Sequence, residues 1–134
     1  MKTGILIVAH APLASALREA VLHIFPEFAH QIAALNIDKN TSTEQSLVLA
    51  QSKLAQLATQ QHVVLTDIFG ATPCNVCQLL VDGTQIPLLS GASLPMLMRA
   101  VTYQDQALET VVLRALEGGT KGVMRVGSVL RTAA

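Results

Sequence analysis

The sequence predicts an α/β fold, a three-layer sandwich with a mostly parallel sheet between helices. Three observations carry the prediction. The stretches from Thr3 to His10 and from His62 to Asp67 each hold a run of consecutive aliphatic residues, as expected of strands buried on both faces. Each run ends at a polar residue that could do chemistry, and a proline follows shortly, at Pro12 and Pro73. Proline suits the first turn of a helix. The rest of the chain alternates helical spacing with short apolar runs, the signature of βα units with right-handed crossovers.

The elements follow in order. After the first strand, Leu13, Leu17, Val21 and Ile24 recur at helical spacing, with Arg18 and Glu19 opposite, and Pro26 ends that helix. Gln31 to Ile37 reads as a second strand. Thr41 to Gln45 holds a capping-box signal, a hydroxyl residue followed three places later by Glu or Gln. The helix it opens runs to about Ala58, with Leu47, Leu54 and Leu57 inward. The third strand ends in Asp67, and a helix starts near Pro73. Ile86 to Leu89 is a short fourth strand closed by Ser90-Gly91-Ala92-Ser93. Helices from Pro95 to about Tyr103 and from about Gln106 to Glu117 follow. The apolar tail from Val123 to Leu130 reads as a fifth strand or an arm. The expected order is 2-1-3-4, which puts the topological switch point between the first and third strands, where ligands collect.

Composition narrows the function. The 134 residues suit one domain over 1–134, with enough chain for a core. Apolar residues make up 51% and charged ones 13%, which argues against disorder. Lys and Arg total nine and Asp and Glu total nine, a balance that points away from nucleic acid or acidic membrane as main partner. No apolar stretch reaches the length of a membrane span, and nothing at the start reads as a secretory signal. Two cysteines close together, outside a secretory context, point to a reducing cytoplasm.

The candidate site is where the first and third strands end. His10 falls at a βα junction, where a helix N-terminus offers unpaired N–H groups and partial positive charge that suit a phosphate. Asp67 is either a helix or turn cap or the acceptor for one imidazole nitrogen, which would set the tautomer and leave the other nitrogen as nucleophile. Thr72 with Pro73 is either an ordinary N-cap pair or a further set of anion donors. His23, His30 and His62 sit on a helix surface, in a loop and at a strand start, and read as having no special role. Two motifs compete for attention. Gly118-Gly119-Thr120-Lys121-Gly122 lacks phosphate-loop spacing and follows no strand, so it reads as a helix-terminating turn. Cys74-Asn75-Val76-Cys77 is a CxxC at a helix start, which is either a thiol–disulfide redox pair or two small residues packed under the helix. It lacks the aromatic-Cys-Gly-Pro-Cys setting of a redox pair, and no later strand shows an obvious cis-proline signal.

The residues from Ile5 to Leu13, from Leu65 to Asn75 and from Leu94 to Leu97 together resemble the mannose-class enzyme IIA domains of the bacterial phosphotransferase system. The resemblance spans almost the whole chain and includes the turn from Gly118 to Val123. It implies a phosphocarrier that takes a phosphoryl group from the phosphocarrier protein HPr onto His10 and passes it to a IIB component or uses it as a regulatory signal. It also implies that Asp67 orients His10, that Ala11, Gly70, Ala71 and Thr72 surround the phosphate, and that no metal or organic cofactor takes part. The family's dimer, completed by an exchanged C-terminal strand, would account for the tail. The family usually has Gly where Ala11 stands and Asn where Ser93 stands. The sequence ends without a IIB domain, like the stand-alone IIA proteins, which include permease subunits and members of regulatory phosphorelays. A membrane would then be met only indirectly, through a permease complex. Phe69, Leu94 and Met96 are candidates for the rim on which partners dock, or else are ordinary core.

Overall fold

The computed structural model describes residues 2–127. Its strands are β1 (Thr3–His10), β2 (Ile32–Ile37), β3 (Gln61–Thr66) and β4 (Leu88–Leu89). Its helices are α1 (Leu13–Ile24), α2 (Thr43–Gln56), α3 (Thr72–Val81), α4 (Leu94–Thr102) and α5 (Leu108–Lys121), with a 3-10 turn over Pro26–Gln31. The sheet has the order β2-β1-β3-β4, and its pairs are all parallel.

The aliphatic run makes β1 the centre of the sheet. Thr3 to Ala9 are buried without a break, because both faces of the strand are covered. Ile5, Ile7 and Ala9 face a core shared with α1, α4 and α5. Leu6 and Val8 face a second core with α2 and α3. Each large aliphatic side chain so enclosed contributes about 1.5–3 kcal/mol of transfer free energy. That burial fixes the register, since a slip of one residue would exchange the two cores. Val8 pairs with Thr66, and His10 pairs with Ile37. His10 and Asp67 therefore emerge side by side at the carboxyl edge, where the chain leaves β1 for one neighbour and later returns on the other side.

The capping box of α2 forms as its sequence suggests. Ser42 accepts from the Gln45 main-chain N–H at 3.1 Å, and the Gln45 side chain accepts from the Ser42 N–H at 3.3 Å. Two expectations need correction. The fourth strand keeps only Leu88 and Leu89. The glycines after Glu117 do not end a helix: α5 continues to Lys121. A Cβ at Gly118 would lie 2.5 Å from Arg99 Cγ and 2.7 Å from the Pro95 carbonyl. Close packing of α5 on α4 thus outweighs the poor helix propensity of glycine. In the tail, residues 123–127 form no strand, and Val123, Met124 and Val126 are exposed. Residues 128–130 of the expected fifth strand lie outside the described residues.

Candidate active site

The site begins with the two strand ends. Asp67 follows β3 by one residue and its side chain is mostly enclosed, whereas the His10 side chain is 53% exposed. Asp67 Oδ2 lies 2.7 Å from His10 Nδ1 and also accepts the His10 main-chain N–H at 3.2 Å. Asp67 Oδ1 accepts the Ile68 N–H at 3.1 Å, with the Thr66 hydroxyl at 3.5 Å. The carboxylate thus grips both the imidazole and the main chain on either side of it. Burial works against its ionisation, but the hydrogen bonds from His10 and attraction to the ring outweigh burial and hold its pKa below the ordinary 3.8. An ionised acceptor at Nδ1 keeps the ring proton there. In the neutral ring the lone pair is then on Nε2, and about half of the His10 side chain is open to solvent.

Main-chain donors surround the ring on two sides, some engaged and some free. On the α1 side, the Ala11 N–H donates to the Ile37 carbonyl at 3.1 Å. The Ser15 N–H in the first turn of α1 donates to Asn36 Oδ1 at 3.1 Å. The Ala11 amide is thus engaged with β2, whereas the Leu13 and Ala14 N–H groups at the start of α1 have no partner among the described residues. Asn36 was not foreseen as a site residue. Its signal was a lone polar side chain near the end of the second strand, next in line to His10.

On the α3 side the donors are free. The main-chain N–H groups of Gly70, Ala71 and Thr72 have no partner among the described residues, and neither has the Thr72 hydroxyl. Ala71, not Thr72, is the N-cap of α3, so Thr72 occupies the first helical position with its hydroxyl exposed. Gly70 has φ +87°, a left-handed conformation that glycine adopts without strain. It turns the chain from Asp67 into the helix.

The three rim candidates separate. Phe69 is 75% exposed. Leu94 is half-buried against the core. Met96 is buried in the core between the sheet and α5, so it is a packing residue, because the first turn of α4 points its side chain inward. Ile68, 58% exposed beside Phe69, was overlooked in the sequence. Ser93 has a structural use, since its hydroxyl caps α4 by accepting the Met96 N–H at 3.3 Å.

Cys74 and Cys77 are free thiols buried on the inner face of α3. Burial, reinforced by the neighbouring Cys74, pushes the Cys77 thiol up to about 12. A thiol so placed is neither a thiolate at neutral pH nor open to a substrate. The redox reading is not supported, and the pair is packing. Among the described residues no group of three or more His, Cys, Asp or Glu side chains is gathered as a metal site would need. No helix of the described residues is long and apolar enough to cross a membrane.

The family model for the phosphotransferase system fructose IIA component, of the mannose type, matches residues 4–116. The chain belongs to this family. Enzyme IIA components are phosphotransferases that relay phosphate through a histidine, and this chain is a phosphocarrier of that system. Family members act with other components of the phosphotransferase system. A phosphotransferase system component EIIA from Streptococcus agalactiae is 25% identical, with TM-score 0.81, covering 94% of this chain and 98% of that one. A mannose/sorbose-specific IIA subunit from Enterococcus faecalis shares the fold at 19% identity and TM-score 0.83, covering 94% and 96%. The IIA protein associated with a fucose utilisation operon in Streptococcus pneumoniae shares it at 20% identity and TM-score 0.80, covering 97% of each. No curated protein matches the sequence.

Proposed function

We propose that His10 is the phosphoryl-carrying histidine, that HPr is the donor, and that a IIB component or a regulatory target is the acceptor. The observation that carries this is the 2.7 Å pairing of His10 Nδ1 with Asp67 at the switch point. With Nδ1 held as a donor, the Nε2 lone pair attacks the phosphorus of the donor's phosphohistidine. The new P–N bond forms as the donor's P–N bond breaks, and the donor imidazole leaves with the electron pair. One phosphohistidine replaces another, so the exchange stays close to balance and can run onward to the acceptor. As positive charge grows on the His10 ring, the Asp67 carboxylate stabilises it.

Phosphoryl transfer needs mainly positioning and stabilisation of charge on the moving group. The free amides of Gly70, Ala71 and Thr72 and the Thr72 hydroxyl supply donors for its oxygens, and no cofactor is required by this scheme. Phe69, with Leu94 behind it, forms the apolar rim on which partner proteins dock. An exposed imidazole on a sheet edge suits transfer between proteins, which need direct access to the carrier atom. The chain works as one phosphocarrier domain over 1–134, in the cytoplasm. It works as a homodimer in which the tail beyond Val123 is exchanged, and it meets a membrane only through a permease complex.

The test is incubation with enzyme I, HPr and labelled phosphoenolpyruvate. Acid-labile label is expected on the wild type and none on His10→Ala. Label that persists in His10→Ala removes His10 from the carrier role.

A further inference from the structure

A second polar site lies away from His10, along the outer edge of β2. There a cavity of about 490 Å3 is bounded by Ser15 and Arg18 of α1, His30 of the 3-10 turn, Ala34 of β2, and Lys53 and Gln56 of α2. That volume is in the range of small-molecule pockets. No acidic side chain lines the cavity, whereas Arg18 and Lys53 both do. In a chain whose charges balance overall, this is a local excess of positive charge over a concave surface.

Arg18 is held rigidly. Its Nε donates to the Ile32 carbonyl at 2.7 Å and its Nη2 to the Ala29 carbonyl at 2.8 Å. One edge of the guanidinium is therefore spent on the main chain. Nη1 and the second hydrogen of Nη2 have no partner among the described residues and form a preorganised fork suited to an oxyanion. Fixing Arg18 in advance removes most of the side-chain entropy that a ligand would otherwise have to overcome. Lys53 makes no hydrogen bond or ion pair among the described residues, and it supplies a second cation from the opposite wall.

The strand edge itself argues against a peptide here. Since the Ile32 carbonyl points outward to Arg18, alternation puts the groups of Ala34 and Asn36 outward too. Arg18 covers the start of this edge and the Asn36 side chain is engaged with Ser15. An added strand would find the Ile32 carbonyl already taken by Arg18, whereas a compact anion meets an open fork. We infer that this cavity binds a small organic anion, a phosphate ester or a dicarboxylate of metabolite size, at a site separate from the His10 site.

The test uses the 15N-labelled full chain titrated with glycerol 3-phosphate, succinate and inorganic phosphate at low salt. Saturable amide shifts at Ser15, Arg18, His30, Ala34 and Lys53 are expected with one of the organic probes, which also tells phosphate ester from dicarboxylate. Lys53→Gln is expected to weaken that binding about tenfold, the loss of one charge-assisted contact, and His10→Ala to leave it unchanged. Lys53 is used because Arg18→Gln would also loosen the Ile32 and Ala29 carbonyls and so test folding. The inference is overturned if neither organic probe saturates or if only inorganic phosphate does. It is also overturned if the shifts centre on residues 67–72 and vanish in His10→Ala, or if Lys53→Gln binds as well as wild type.

Discussion

Asp67→Asn keeps the size of the side chain and removes only its charge and one acceptor. In the native site the two carboxylate oxygens face donors on opposite sides. Oδ2 serves the His10 ring at 2.7 Å and the His10 N–H at 3.2 Å, and Oδ1 serves the Ile68 N–H at 3.1 Å. An amide cannot satisfy both sides. With its oxygen toward Ile68, its NH2 opposes the His10 N–H, and Nδ1 must become an acceptor. The ring proton then moves to Nε2, and the lone pair there is lost. With its oxygen toward His10, its NH2 opposes the Ile68 N–H, and an unpaired donor costs about 1–3 kcal/mol. The rate of phosphoryl uptake from HPr should therefore fall about 100- to 10,000-fold, the usual effect of a wrong tautomer on a histidine base. Stability should fall by only about 1 kcal/mol, because the paired ring is half exposed and water screens it. Rapid-quench phosphorylation gives the rate, and ring 15N shifts identify which nitrogen carries the proton. An Asn variant phosphorylated within about threefold of wild type, or an Nε2 that stays unprotonated in it, would refute the orienting role.

Four further outcomes follow from the same geometry. Asp67 titrates below 3.8 in the folded chain, so its stabilisation is complete above that value and is lost as pH falls through the lower folded pKa. Urea midpoints should drop more steeply on acidification in wild type than in Asp67→Asn. Phe69→Ala should leave stability within about 0.5 kcal/mol, because the ring is exposed, yet raise KM for phosphorylated HPr roughly five-fold or more. Equal kinetics would remove Phe69 from the rim. Gly118→Ala should cost about 1–3 kcal/mol in urea unfolding, because the new methyl meets the Pro95 carbonyl at 2.7 Å. Gly119→Ala meets only the Met96 side chain, its unbranched Cε at 3.0 Å, and should stay within about 1 kcal/mol of wild type, helped by the helix propensity of alanine. Cys74 and Cys77 should resist thiol reagents until the chain unfolds, and the double serine variant should still be phosphorylated; fast labelling of the folded protein would contradict their packing.

Most of the frame was legible because it is dictated by local pattern. The unbroken apolar runs of β1 and β3 marked the central strands, and the prolines marked where helices begin. From the order of elements alone, His10 and Asp67 fell together. Features set by tertiary contact were not legible. The glycines of α5 looked like a stop, because their purpose is visible only against Arg99 and Pro95. Met96 and Phe69 are both large and apolar, but Met96 sits on the inward side of the first turn of α4 while Phe69 lies in the open turn between β3 and α3. Asn36 is an ordinary polar residue in sequence, and it gains meaning from lying across from Ser15. The occupied amides of Ala11 and Ser15 likewise depend on where β2 ends relative to β1. Which amides stay free at the two helix starts, Leu13 and Ala14 on α1 and Gly70 to Thr72 before and in α3, is set by these contacts and not by local pattern.

The doubled grip of Asp67 on His10 and Ile68 has a consequence for how this carrier is read by others. The same carboxylate pins the main chain at the ends of both central strands, so the strand ends have little freedom to shift when the ring is loaded. Loading would instead alter the electrical character of the surface. The chain carries nine positive and nine negative side chains, and one phosphoryl group adds about two negative charges at neutral pH. On a molecule with no net charge of its own, a phosphoryl group carried on His10 as proposed would become the dominant charge beside Phe69. Partners would then tell loaded from empty carrier by charge at a fixed address rather than by a change of shape.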